Sequence, residues 1–290
     1  MPKDNIFMYT VDKSARVFIA NTYNLVNEAF KIHNTTPVVT AALGRTLTAT
    51  AIMGAMLKND SDVLTVTIKG KGQIGGIVAT TNNKCEVKGY VFNNHVQIPN
   101  KPGYIAKLDV SAAIGEGILT ITKDVGLKEP QSGQVPLVSG EIAEDITYYY
   151  AKSEQTPSSV ALGVLVNRDY TVKQAGGFII QLLPHAKEGF IKHLENIIPT
   201  LPPITTMLEN GDDILKLIFP KQSINNNGST VPTYYCNCNR NKTQKALMAV
   251  GKKELLAILK EDKEANIHCH FCKKDYNFTE NDINEIIKLV

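Results

Sequence analysis

The chain has 290 residues, 43% hydrophobic and 20% charged, and carries a net charge of +3. That balance excludes global disorder and, at roughly 150 residues per domain, suggests two domains. The charge is too small for a chain built mainly to coat nucleic acid, and no run reaches the ~18 apolar residues of a membrane span. Asp4 and Asp12 stand where a secretory peptide would have its apolar core, so a soluble cytoplasmic protein is expected.

In chain order, the pattern first predicts a helix over Ala15–Ile32, bounded by Pro37, and a second over Ala41–Lys58 with a wide apolar stripe. The period then changes to two. Leu64, Val66 and Ile68 alternate with Thr65 and Thr67, and further strands are expected at 74–80, 85–92, 107–110 and 117–123, an antiparallel sheet. Ser139 is a candidate N-cap for a helix whose apolar face is Ile142, Ile146 and Tyr149 or Tyr150. Two buried strands follow, at 160–166 and 176–183. The fold class is α+β, with an N-terminal sheet-and-helix core over residues 1–183.

From Pro184 the composition changes. Residues 184–231 read as a helical linker, with amphipathic pieces at 186–198 (Phe190, Leu194, Ile197) and 212–219 (Leu215, Ile218, Phe219) cut short by prolines. Isolated helices shorter than ~12–15 residues are marginal in water, so these pieces hold shape only when docked. A polar tract, 223–230, leads into a last unit of residues 232–290, with helices at 243–250, 252–260 and 280–289. Thr279 and Asp282 form a capping box for the last of these. A unit this small needs a staple such as a metal or disulfides.

The cysteines supply one. Cys85 stands alone in a strand-like run, where it reads as a small buried hydrophobe; the other four fall in the last 55 residues as Cys236-x-Cys238 and Cys269-x-x-Cys272. A C-x-x-C knuckle presents two thiolates to a tetrahedral zinc and a second pair closes the site. Cys236 and Cys238 point the same way only from an extended or tightly turned backbone. Four bound thiolates leave no open position, so one Zn²⁺ per chain would be structural. His268 and His270 flank Cys269 as alternative ligands or surface residues. Four thiolates and Zn²⁺ sum to −2, which cancels the ten Lys/Arg and eight Asp/Glu of residues 232–290 and leaves no basic field for phosphates. Thiolates also oxidise, and a sulfenic acid condenses with a neighbouring thiol, so oxidation would strip the metal of its ligands. Structural zinc is worth roughly 10–16 kcal/mol in small peptides, so its release should unfold the unit and undock the linker.

Gly70-Lys71-Gly72-Gln73-Ile74-Gly75 matches the dinucleotide G-x-G-x-x-G, but β-rich sequence follows where a helix must open, so a hairpin loop is expected. H-E-x-x-H, G-x-S-x-G and Walker-type loops are absent, and the chain reads as a non-enzyme.

The paired cysteines at the end of a chain of this length resemble the redox switch of the heat shock protein 33 family. The likeness extends through Ala42-Leu43-Gly44-Arg45, residues 140–145 (GEIAED), Ser153-Glu154-Gln155 before Pro157, Ala175-Gly176-Gly177, Phe271-Cys272 and Tyr276-x-Phe278. The histidines beside Cys269, and Asn239 where Ser is expected, depart from the pattern. The resemblance implies an ATP-independent holdase, inactive when reduced and zinc-loaded. Oxidation would form disulfides Cys236–Cys238 and Cys269–Cys272, release zinc and unfold the linker. The protein would then dimerise and hold unfolding or oxidatively damaged clients, with the apolar linker face (Phe190, Leu194, Ile197, Leu215, Ile218, Phe219) as candidate binding surface. Two other classes explain less. A zinc-dependent nucleic-acid binder lacks the charge, and a thiol oxidoreductase needs a free attacking thiol.

Overall fold

A computed structural model describes residues 3–104 and 107–290, which fall into two compact units, one ending at Tyr235 and one spanning Cys236–Val290. The first unit runs β1 (Asn5–Val11), β2 (Ala15–Asn21), α1 (Tyr23–His33), α2 (Pro37–Gly54), β3 (Val63–Gly70), β4 (Gly76–Asn82), β5 (Glu86–Val91), α3 (Val110–Ile114), β6 (Gly117–Asp124) and β7 (Gln131–Pro136). It continues with α4 (Ala143–Lys152), β8 (Ser158–Val166), β9 (Val172–Leu182), α5 (Glu188–Ile197), α6 (Ile204–Asn210), α7 (Ile214–Ile218), β10 (Ile224–Thr230) and β11 (Thr233–Tyr234). The second unit holds α8 (Arg240–Met248), α9 (Lys252–Glu261), β12 (Ala265–His268), β13 (Asp275–Phe278) and α10 (Glu280–Ile287). The fold is α+β.

Two sheets organise the first unit. One has the order β10-β1-β2-β9-β8 and is antiparallel throughout; the other is β11-β5-β4-β3-β6-β7, antiparallel except where β11 runs beside β5. Helix α2 packs against β8 and β9 of the first sheet and β3, β4 and β5 of the second. Every residue of α2 except Pro37 and Arg45 is buried, the signature of a core helix. Its threonines are tolerated because Thr46, Thr48 and Thr50 donate to the carbonyls of Ala42, Gly44 and Thr46. At Gly44 a Cβ would lie 2.6 Å from Val26 and 2.8 Å from Val164, so only glycine lets α1 and β8 close on this helix.

Several segments differ from the pattern-based expectation. Residues 15–21 are strand β2, inserted between β1 and β9. Helix α1 begins only at Tyr23, where the Asp4 carboxylate accepts hydrogen bonds from the Asn24 and Leu25 amides. The expected strand at 107–110 gives way to the short helix α3, capped by Asp109 accepting from the Ala112 amide. Ahead of α4, Asp145 rather than Ser139 gathers the loose amides, accepting from Val138, Ser139, Gly140 and Ile142. The G-x-G-x-x-G run is a hairpin loop between β3 and β4. Its amides are spent on protein: Lys71 donates to Glu116, Gly72 to Ile114 and Ile74 to Ala113. Cys85 is buried, 3.6 Å from the Ala51 carbonyl, and burial pushes its thiol up to about 11.

The segment read as a linker is laid over the first sheet. Phe190 and Leu194 of α5, Ile204 and Met207 of α6, Ile214 and Ile218 of α7, and Phe219 form one buried cluster with Val11, Ala15, Val17, Phe178 and Ile180. Ile197 and Leu215 pack at its margin, and Phe190 stacks on Phe219 at 5.8 Å. The polar tract is β10, an edge strand on β1 with Val11 opposite Ile224 and Ile6 opposite Thr230. Among the described residues no helix is long and apolar enough to cross a membrane.

Candidate metal centre

The second unit is built on little apolar material: Leu247, Leu255, Phe278, Ile283 and Ile286 are its fully buried hydrophobic side chains. Strands β12 and β13 form a hairpin with Ala265 opposite Phe278 and His268 opposite Asp275. The turn between them is tightened by Cys269 donating its amide to Lys274 (2.9 Å) and Lys273 donating to Cys269 (2.8 Å). Lys273 adopts φ 59°, the left-handed conformation that lets the chain double back. Cys269 and Cys272 therefore face one way across the turn.

The other pair comes from the segment after β11. Residues 235–239 alternate exposed and half-buried, so Cys236 and Cys238 point inward while Asn237 points out, the extended backbone that one intervening residue demands. The Asn239 side chain then caps α8 by accepting from the Lys242 amide, so the departure from Ser keeps a good N-cap. Arg240 lies 4.4 Å over the Phe278 ring, donates to the Asn277 carbonyl and pairs with Asp282 at 2.9 Å, tying the start of α8 to the hairpin and α10.

These elements bring all four sulfurs within 4.8 Å of one another, and among the described residues this is the group of three or more His, Cys, Asp or Glu side chains able to hold one metal ion. Cys236 and Cys269 approach to 3.7 Å and Cys238 and Cys272 to 3.1 Å. A tetrahedral ion with bonds of about 2.3 Å to sulfur spaces its ligands roughly 3.8 Å apart, so the cluster fits such an ion with small adjustment. His268 and His270 are not part of the group; both are exposed.

The geometry adds a residue that the cysteine spacing did not single out. Tyr276 of β13 places its hydroxyl 3.2 Å from the Cys238 sulfur. Its signal was the alternation Tyr276-x-Phe278, which turns both rings inward. Burial opposes ionisation of Cys238, yet hydrogen bonds from Tyr276, Cys272 and the other two thiols outweigh it and bring this thiol down to about 7. Burial, with the hydrogen bond to Cys238, pushes Cys272 up to about 12.

A family model described as Hsp33 protein matches residues 4–279. The 33 kDa chaperonin of Clostridioides difficile (strain 630) is 51% identical, the match covering 94% of each chain; that of Acetivibrio thermocellus is 46% identical over 95% of this chain and 93% of its own. The crystal structure of the 33 kDa chaperonin (heat shock protein 33 homolog) from Thermotoga maritima superposes with a TM-score of 0.90 at 35% identity, covering 99% of both chains. The match to the family model over nearly the whole length and the shared fold establish that this chain belongs to the Hsp33 family.

Proposed function

We propose that this Hsp33-type chaperone is a cytoplasmic, redox-regulated, ATP-independent holdase whose resting state carries one Zn²⁺ on Cys236, Cys238, Cys269 and Cys272. The observation that carries the reading is the closed set of four sulfurs in a unit with so small a core. Soft thiolates in tetrahedral array suit zinc, which supplies a cross-link between the segment after β11 and the β12–β13 hairpin.

Activation is oxidation of the ligands. A thiolate attacks peroxide and becomes a sulfenic acid with loss of hydroxide; a second thiol displaces water from it to give a disulfide. Each disulfide consumes one peroxide and two thiols. The shortest sulfur–sulfur approaches, 236 to 269 and 238 to 272, run between segments. The resemblance to the family nevertheless implies Cys236–Cys238 and Cys269–Cys272, each disulfide closed within one segment once ligation is lost. The unit then loses its staple, immediately beyond β10 and β11.

The consequence for clients lies in α5–α7. These helices have 10, 7 and 5 residues, too short to persist undocked. Their release bares Phe190, Leu194, Ile197, Leu215, Ile218 and Phe219, and uncovers Val17, Phe178 and Ile180 on the sheet. Surface of this kind would take unfolding or oxidatively damaged proteins and favour dimerisation of the activated chain. Peptide mapping by mass spectrometry after peroxide, with zinc followed by a chromophoric chelator, tests the chemistry. Two intrasegment disulfides with zinc released are expected; zinc retained at full oxidation, or disulfides between the segments, would contradict it.

A further inference from the structure

The two histidines beside Cys269 take no part in the thiolate cluster, yet they are not arranged at random. Along the hairpin Ile267 and Cys269 are half-buried while His268 and His270 are exposed, so both imidazoles stand on the face turned away from the cysteine. Their ring centroids are 5.7 Å apart with the planes at 77°. Two imidazoles that share one ion through nitrogens about 2.0–2.1 Å from it have ring centres roughly 5–6 Å apart.

Asp275 orients the first of them. It lies opposite His268 in the β12–β13 register, and its Oδ1 is 2.7 Å from His268 Nδ1. A carboxylate can only accept, so Nδ1–H is the donor and the lone pair of neutral His268 sits on Nε2. A carboxylate on the far nitrogen is the arrangement found behind metal-bound histidines, where it fixes both tautomer and ring direction. The backbone that carries the second ring is fixed by the knuckle, through the Cys269–Lys274 and Lys273–Cys269 hydrogen bonds.

We propose that His268 and His270 form a second metal site on the outer face of the knuckle, oriented by Asp275 and distinct from the four thiolates, for a divalent ion of the nickel–copper–zinc group. Imidazole suits these ions, and with two protein ligands the remaining positions belong to water. The site is open and exchangeable, unlike the closed thiolate set.

The test uses the untagged, reduced, full-length chain and Ni²⁺, which binds imidazole without oxidising thiols. Equilibrium dialysis against submillimolar Ni²⁺, with both metals counted by mass spectrometry, should show about one nickel per chain added with no zinc lost. His268→Gln/His270→Gln should weaken nickel binding at least about tenfold, and Asp275→Asn by about tenfold. The control His95→Gln/His185→Gln, which removes two other exposed histidines, should bind nickel as the parent does. Equal nickel binding by parent and His268→Gln/His270→Gln, no binding by the parent, or nickel gained only as zinc is lost would overturn the proposal. Zinc is measured on the same samples, so failure of the thiolate reading would show separately, as zinc well below one per chain.

Discussion

Tyr276 and Glu141 show how single side chains tune this molecule. The Tyr276 hydroxyl lies 3.2 Å from the Cys238 sulfur and orients it. Tyr276→Phe is therefore expected to lower metal affinity by about tenfold, read by competition with a chelator, while leaving the stoichiometry at one. In the first unit Glu141 joins Arg45 and Lys101 at 2.6 Å each. Burial pushes its carboxyl up, but hydrogen bonds from Lys101 and Arg45 outweigh that and hold it below the usual glutamate range. A depressed native pKa adds stability that is complete above the unfolded value of about 4.3 and is lost as pH falls through the native one. Glu141→Gln should cost about 1–3 kcal/mol at neutral pH, because Arg45 is only 13% exposed and loses its counter-charge. The variant's denaturant midpoint should also fall less steeply on acidification below about 4.3 than the parent's.

Under the proposed function, release of helices α5–α7 from the first sheet is the regulatory step. Phe219 is buried against Phe190, and Phe219→Ala should weaken docking by about 3–5 kcal/mol, enough to populate the open linker. The reduced variant is expected to suppress aggregation of a heat-denatured client without peroxide; a reduced variant as silent as the parent would separate docking from repression. Helices α5 and α7 were legible because Phe190, Leu194 and Ile197, then Leu215 and Ile218, keep helical spacing between prolines; α6, at Ile204–Asn210, was not singled out. The sulfur cluster was legible because the four cysteines lie close together in sequence, and the structure brings them within 4.8 Å of one another. Strand β2 was not: Val17 and Ala20 keep a helical spacing and the strand is buried on both faces, so no alternation marks it, and the Asp4 cap that starts α1 at Tyr23 comes from 20 residues away. Strand β10 was illegible for a different reason. As a solvated edge it needs only backbone pairing with β1, so its asparagines carry no alternating pattern. The role of Asp145, too, arises from a loop folding back on its carboxylate rather than from any motif.

Taken whole, the chain joins a first unit with a large core around α2 to a second whose buried hydrophobic side chains number five. Stripping the metal with a chelator under reducing conditions should therefore melt α8–α10 and leave the first unit's main calorimetric transition in place. Cys269→Ser/Cys272→Ser should do the same without chelator. Retention of the second unit's structure in either case would show that its core suffices. The central claim is that oxidation of the cysteine cluster turns on client binding, and light scattering of a heat-aggregating client tests it most directly. The chain is added either reduced and zinc-loaded or after peroxide, with released zinc measured in parallel. Suppression by the oxidised chain alone, in step with zinc release, is the predicted result; equal suppression by both forms, or none by either, would contradict it.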